Sequence, residues 1–267
     1  MGLKQNLLRI KTILLEYKQK VLDDVGSTTY IVKKDKTDDG IDSRVVVYSD
    51  PNSHVAEQYR IMRTNLCSLS IDEPMHSFVI TSALRGEGKS ITSSNISVAL
   101  ALQLAKKVLL VDADLRKPSL HKIFNIPKEP GLADLLSGEV NLDQVLSKEV
   151  LPNLYVLPAG RLPSNPSELL SSQKLKELIS VFKEKFNYLL FDCPPIIPVT
   201  DAGVLGSQVD GVVLVVRAAS TGALDVERAF SLLKEAKAKP AGAILSNVVT
   251  YIPYYLYRYR YVYINKY

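Results

Sequence analysis

The stretch Ser77-Phe-Val-Ile-Thr-Ser-Ala-Leu-Arg-Gly-Glu-Gly-Lys-Ser90 decides how this chain folds. Ser77–Thr81 is short and apolar, as a buried strand should be. It runs into Ala83-Leu-Arg-Gly-Glu-Gly-Lys-Ser90, and a helical pattern follows from Ser90 to about Ala105. Strand, glycine-bearing loop and helix in that order make a phosphate-binding loop. Its glycines let backbone N–H groups turn toward phosphate oxygens, and the helix N-terminus adds a favourable dipole. The expected nucleotide contacts are Arg85, Gly86, Glu87, Gly88, Lys89, Ser90 and Ile91. Lys89 would reach the β- and γ-phosphates of ATP, and the Ser90 hydroxyl would ligate Mg²⁺. The strict pattern begins with glycine where this chain has Ala83.

Downstream, Val108–Val111, Leu154–Leu157, Tyr188–Phe191, Val212–Val216 and Ala243–Leu245 read as further strands. Most are apolar on both faces, which a parallel sheet covered by helices requires. Helical patterns at about 167–184 and 221–237 fill crossovers. The expected fold is a doubly wound α/β domain with a mostly parallel sheet and helices on both faces. Its site should lie at the carboxyl ends of the strands.

Two acidic clusters fall at such ends. In Val111-Asp-Ala-Asp-Leu-Arg-Lys-Pro118, Asp112 and Asp114 sit two apart on an extended stretch and so point to one side. Beside a metal-bound triphosphate, one could hold Mg²⁺ while the other accepts a proton; spacing does not decide which. A structural use, capping the helix after Pro118, suits Asp114 and explains Asp112 poorly. In Phe191-Asp-Cys-Pro-Pro195, Asp192 ends a wholly apolar strand. Buried strand ends rarely keep an unpaired carboxylate, so Asp192 is expected near the metal.

With 267 residues and 46% apolar content, the chain suits one large domain with appendages. No stretch reaches the ~18 apolar residues that span a bilayer, and no signal-peptide pattern opens the chain. A cytoplasmic protein is expected. Two cysteines, Cys67 and Cys193, make neither a disulfide framework nor a metal cluster, and three histidines are scattered. A net charge of +5 is mild, and no nucleic-acid partner is expected.

Residues 3–22 read as an amphipathic helix with a short heptad seam, followed by a charged linker to Ile41. A second helix from His54 to Ser70 carries an apolar stripe of Val55, Tyr59, Met62, Leu66 and Leu69, with Glu57, Arg60 and Arg63 on another face. The expected organisation is an N-terminal helix and linker over 1–45, a nucleotide-binding domain over 46–247 and a tail over 248–267.

Eight of the fourteen tyrosines stand in that tail: Tyr251, Tyr254, Tyr255, Tyr257, Tyr259, Tyr261, Tyr263 and Tyr267. It is expected to be flexible. Its three basic side chains, Arg258, Arg260 and Lys266, are matched by no acidic one. Each added phosphate brings about −1.5 to −2 charges, so two would reverse its sign. A nucleotide site joined to a row of phenols points to self-phosphorylation on tyrosine.

In this combination the chain resembles the bacterial tyrosine kinases that control capsule and exopolysaccharide synthesis. The likeness rests on Glu57-Gln-Tyr-Arg60-Ile-Met-Arg63, the loop ending Gly-Lys89-Ser90, Asp112-Ala-Asp114-Leu-Arg-Lys-Pro, Asp192, Asn165-Pro-Ser-Glu-Leu-Leu170 and the terminal tyrosines. It covers residues from about 50 onward. The resemblance implies transfer of the ATP γ-phosphoryl group to a tyrosine hydroxyl. Lys89, Asp112, Asp114 and Asp192 would be catalytic, and Ser90, Asp114 and Asp192 would place Mg²⁺. It further implies a ring-like homo-oligomer joined through Glu57, Arg60 and Arg63, protein substrates, a cognate phosphatase and a separate transmembrane activator or polysaccharide co-polymerase. That partner would recruit the kinase to the inner face of the cell membrane. A second resemblance, to ParA- and MinD-like ATPase switches, lacks their signature lysine, whose position is Leu84 beside Arg85. A third reading makes the tyrosine row an interaction module without catalysis.

Overall fold

The computed structural model describes residues 36–69, 75–146 and 149–248. The helix expected at 3–22 and all eight tail tyrosines lie outside the described residues. Six strands form one sheet: β1 (Ser77–Ser82), β2 (Val108–Asp112), β3 (Leu154–Leu157), β4 (Tyr188–Asp192), β5 (Gly211–Arg217) and β6 (Pro240–Ser246). Their spatial order is β3-β2-β4-β1-β5-β6, and every pairing is parallel. The sheet is therefore wholly, rather than mostly, parallel.

Alternation along the strands builds two apolar layers. Val79, Leu109, Val111, Leu189, Phe191 and Leu214 face one, while Phe78, Ile80, Leu110, Leu190, Val213 and Val215 face the other. Because both layers are apolar, helices must cover both faces. Each buried side chain of this size contributes about 1.5–3 kcal/mol of transfer free energy. A short helix α1 (Val46–Ser49) and a long one, α2 (His54–Ser68), precede the sheet, and α3 (Lys89–Leu104) follows the phosphate loop. After β2 come α4 (Leu120–Ile123), α5 (Leu132–Ser137) and α6 (Leu142–Val145). The region expected as one helix at 167–184 is two, α7 (Pro166–Ser171) and α8 (Gln173–Lys185). Ser172 breaks them with extended backbone, ψ 150°, and its hydroxyl accepts from the Leu175 N–H at the start of α8. Helices α9 (Asp201–Gly206) and α10 (Ala223–Glu235) flank β5.

Two expectations need correction. The boundary at 45/46 falls inside a packed segment, since Ile41, Val45, Val46 and Val47 are buried in the second apolar layer. Asn95 on α3 holds that segment: its amide donates to the Arg44 carbonyl and its oxygen accepts from the Val47 N–H. The stripe expected on α2 holds at Tyr59 and Leu66, which pack on the second apolar layer, but fails at its ends. Ala56 and Leu66 are buried there, whereas Val55 is 48% and Leu69 37% exposed. Ile61 is also 48% exposed.

Candidate active site

The phosphate loop joins β1 to α3. Gly86 (φ 82°) and Gly88 (φ 90°) both take left-handed backbone, where a side chain would be strained. A Cβ at Gly86 would meet nothing within 4 Å, so the loop leaves room for an oxyanion against its backbone. Ala83 is fully buried and has no positive φ, so a methyl group fits where the strict pattern has glycine.

The Glu87 side chain has a use that the loop pattern does not announce. It is 3% exposed and turns inward, accepting the Leu84 N–H at 2.8 Å and the Thr221 hydroxyl. It therefore clamps the loop, leaving only its backbone free to face phosphate. The Ser246 hydroxyl donates to the Glu87 carbonyl at 2.6 Å, and Arg217 donates to the Gly86 carbonyl at 3.3 Å. Thus the ends of β5 and β6 hold the loop from behind. Ile91 packs into the second apolar layer, and Arg85 lies exposed at the outer edge.

Lys89 meets the acidic clusters. Its Nζ is 3.0 Å from Asp114 Oδ2 and 3.7 Å from Asp192 Oδ1, and it donates to Ser90 Oγ at 3.3 Å. Burial works against this ammonium, but Asp192, Asp114 and Asp112 outweigh it and raise its pKa. Sheet register explains the convergence: Asp112 is the partner of Asp192 across β2 and β4, and Ile80 is the partner of Asp192 across β1. The expected catalytic set Lys89, Asp112, Asp114 and Asp192 is thereby brought together, with Ser90 beside it.

The carboxylates differ in what holds them. Asp112 Oδ2 accepts the N–H groups of Ser119 and Leu120, each at 2.9 Å, while Oδ1 has no partner. Asp112 does, therefore, tie down the backbone at the start of α4, a use the sequence reading assigned to Asp114. Asp114 accepts the Lys117 N–H at 2.9 Å. Burial first, then Asp192, pushes Asp112 up to about 7 against the pull of the Leu120 and Ser119 N–H groups and Lys89. Asp192 is raised by burial, opposed by Lys89 and Ser90 and reinforced by Asp114. Neither Asp192 oxygen has a hydrogen-bond partner.

Mg²⁺ and nucleotide phosphates fit these residues. A hard cation suits orphaned carboxylate oxygens beside a serine hydroxyl. Among the described residues no group of three or more His, Cys, Asp or Glu could hold a metal alone; Mg²⁺ is commonly completed by one or two carboxylates plus phosphates and water.

The carboxylate arrangement has a measurable cost. A folded-state pKa raised from 3.8 to about 7 means that folding favours the protonated Asp112. That contribution is complete below about pH 4 and is lost as pH rises through about 7. Asp112→Asn should therefore raise the melting temperature of the nucleotide-free, Mg²⁺-free protein at pH 8, by an effect on the order of 1–4 kcal/mol. The gain should shrink toward pH 4. A pH-independent difference in a melting series would refute this.

A further network braces the site. Arg116 Nε donates to Asp201 Oδ2 at 2.8 Å, and its Nη2 donates to Ser167 Oγ at 2.9 Å. Ser167 Oγ in turn donates to Asp201 Oδ1 at 2.6 Å, with Asp201 fully buried. Ser167 belongs to the Asn165-Pro-Ser stretch, so that motif's structural use is to lock the loop after β2 onto α9. Thr221, Arg217, Ser246 and Asp201 escaped sequence reading; their one signal is position near the carboxyl ends of strands. On α2, Arg60 Nη1 pairs with Glu57 Oε2 at 2.5 Å, while Arg63 donates to Thr64 Oγ1 at 3.4 Å.

An AAA domain family model matches residues 76–239. Tyrosine-protein kinase YwqD of Bacillus subtilis (strain 168) is 42% identical over 202 residues, covering 76% of this chain and 85% of that protein. The chain belongs to the bacterial tyrosine kinases. This kinase superposes on the kinase domain of Escherichia coli tyrosine kinase ETK with TM-score 0.74 and 30% identity, covering 78% of this chain and 82% of that one. The chimerical protein CapA2B2 matches with TM-score 0.72 and 33% identity, over 85% of this chain and 97% of that one. The septum site-determining protein MinD of Pyrococcus horikoshii OT3, complexed with Mg-ADP, is more distant, with TM-score 0.55 and 28% identity over 64% of this chain and 70% of that one. The kinase thus has the nucleotide-binding fold of the P-loop NTPases.

Proposed function

We propose that this kinase transfers the γ-phosphoryl group of ATP to the tyrosines between Tyr251 and Tyr267 of a neighbouring copy, and to other proteins. Through this activity it would regulate capsular or exopolysaccharide synthesis and export. The observation that carries the reading is the convergence of Lys89, Asp112, Asp114 and Asp192 on one sheet end, in a chain bearing eight terminal tyrosines.

Phosphoryl transfer has a loose transition state, so positioning and charge stabilisation do most of the work. Lys89 would exchange its carboxylate partners for β- and γ-phosphate oxygens. Ser90, Asp192 and Asp114 would hold Mg²⁺, which supplies further neutralisation of phosphate charge. A free phenol has a pKa of about 10 and needs a proton acceptor at neutral pH. Asp112 suits that role better than Asp114: its pKa of about 7 lies near working pH, and Oδ1 is unengaged. Two backbone N–H groups on Oδ2 fix its orientation. Asp114 is engaged by Lys89 and the Lys117 N–H.

The α2 face is read as a contact between copies. Exposed Ile61, one turn on from Glu57, gives the Glu57–Arg60 pair a mixed apolar and charged surface. Arg60→Glu should shift the nucleotide-bound protein toward monomer in light scattering. An unchanged mass would remove this face from the assembly. We further assign the kinase a separate transmembrane activator and a cognate phosphatase, with recruitment to the inner membrane face. No helix among the described residues is long and apolar enough to cross a membrane.

The competing reading is an ATPase switch, favoured by the fold shared with MinD. Incubation with γ-labelled ATP and Mg²⁺ separates the two. The kinase leaves alkali-stable phosphotyrosine on protein, whereas the switch releases only free phosphate.

A further inference from the structure

Beside the transfer site lies a cavity of ≈ 640 Å³ that shares Ser90 and Ile91 with it and whose remaining lining the chemistry above does not use. Ser90 and Ile91 at the start of α3 form one side, and Ser119, His121 and Lys122 form another. Ser90 adjoins Lys89, and the Ser119 N–H is held by Asp112, so the cavity opens beside the reacting centre. Lys36, Asp42 and Arg44 complete its charged lining.

The balance of charge is positive. Arg44 and Asp42 satisfy each other, with Nε–Oδ1 at 2.9 Å and Nη2–Oδ2 at 2.6 Å. His121 is held below its ordinary pKa by burial, then by Lys122 and Lys128, and so adds no charge at pH 7. Lys36 and Lys122 are left as the excess; Lys36 donates weakly to Asn125 Oδ1 at 3.4 Å. An apolar surface at Ile91, serine hydroxyls and two ammonium groups match an aromatic ring bearing a phosphate.

The tail discriminates itself by its state of modification. Unmodified, residues 248–267 carry Arg258, Arg260 and Lys266 with no acidic residue, and a positive groove repels them. One phosphate brings about −1.5 to −2 charges, which leaves the segment less positive and gives it a dianionic group for the two ammonium groups to hold; a second is needed to overturn the net charge. We propose that this groove binds phosphotyrosine of the C-terminal segment of a second copy, so that the first transfer primes those that follow. This rests on the reading of the tail as acceptor. Tyr255, Tyr257, Tyr259, Tyr261 and Tyr263 alternate, and in an extended peptide residues two apart lie about 7 Å apart on one face. A phosphotyrosine in the groove therefore leaves the next tyrosine on that face one such step away.

The test is binding of labelled 251–267 peptides, one unmodified and one phosphorylated at Tyr259, to the unphosphorylated full-length protein with saturating ADP and Mg²⁺. The phosphopeptide should bind about tenfold tighter or more, a difference of ~1.4 kcal/mol. The preference should fade at high salt. Lys36→Glu with Lys122→Glu should abolish it without altering the melting temperature; Lys122→Gln should weaken it in the same direction. Equal affinity for both peptides, or a preference surviving the double variant, overturns the proposal. So does displacement of the phosphopeptide by equimolar inorganic phosphate, which would reveal a general anion site. Because binding is read without transfer, a preference in a protein that labels no tyrosine would sustain the groove and sink the kinase reading instead.

Discussion

Lys89→Met should lower phosphotyrosine formation by about three orders of magnitude or more, equivalent to about 4 kcal/mol of lost transition-state stabilisation. The ammonium sits 3.0 Å from Asp114 and 3.7 Å from Asp192, where the phosphate loop meets the acidic strand ends. Removing it takes away charge the transferring group needs. It also leaves Asp114 and Asp192 without their cation, which costs stability when a buried partner is lost. The variant should therefore fold but melt a few degrees lower without nucleotide. Initial rates of tyrosine labelling together with a melting curve check both effects. Near-normal labelling would take Lys89 out of the chemistry.

Deleting residues 251–267 should abolish nearly all self-phosphorylation while ATP affinity stays within about twofold of the full chain. All eight tail tyrosines go with the deletion, whereas the loop, its clamps and the carboxylates belong to residues 83–246. Equilibrium nucleotide binding and total phosphotyrosine per chain are the two readouts. Persistent labelling at high stoichiometry would place the acceptors elsewhere, among the remaining six of the fourteen tyrosines. Lost nucleotide binding would make the tail part of the site.

The sheet was largely legible because its strands are short apolar runs between loops. Leu154–Leu157 agrees at both ends, and the other strands extend the expected ones by one to a few residues. Helices α4, α5, α6 and α9 span only four to six residues each. Fewer than two turns give no measurable period, so no pattern announces them. The site was legible where chemistry follows local order: glycines, lysine and serine in one loop, and aspartates at strand ends. It was not legible where distant segments meet. The loop pattern marks the Glu87 backbone as a phosphate contact but gives no sign that Thr221, 134 positions away, holds its carboxylate. Asp112 looked free of structural duty because its partners, the Ser119 and Leu120 N–H groups, are brought round by a turn with no distinctive sequence. Residues 41–47 were taken for the end of a linker and a domain edge, yet a hydrogen-bonded asparagine on α3 draws them into the core.

The two variants above allow the central claim to be tested in one tube. The Lys89→Met chain keeps every tail tyrosine and lacks the phosphate loop's lysine, while the chain lacking 251–267 keeps that lysine and has none of the tail tyrosines. Each should label negligibly alone with γ-labelled ATP and Mg²⁺. Mixed, they should produce phosphotyrosine on the Lys89→Met chain, mapped by mass spectrometry to Tyr251–Tyr267. Absence of phosphotyrosine in the mixture, with wild-type chain labelling normally beside it, would contradict transfer between copies from this site to this tail.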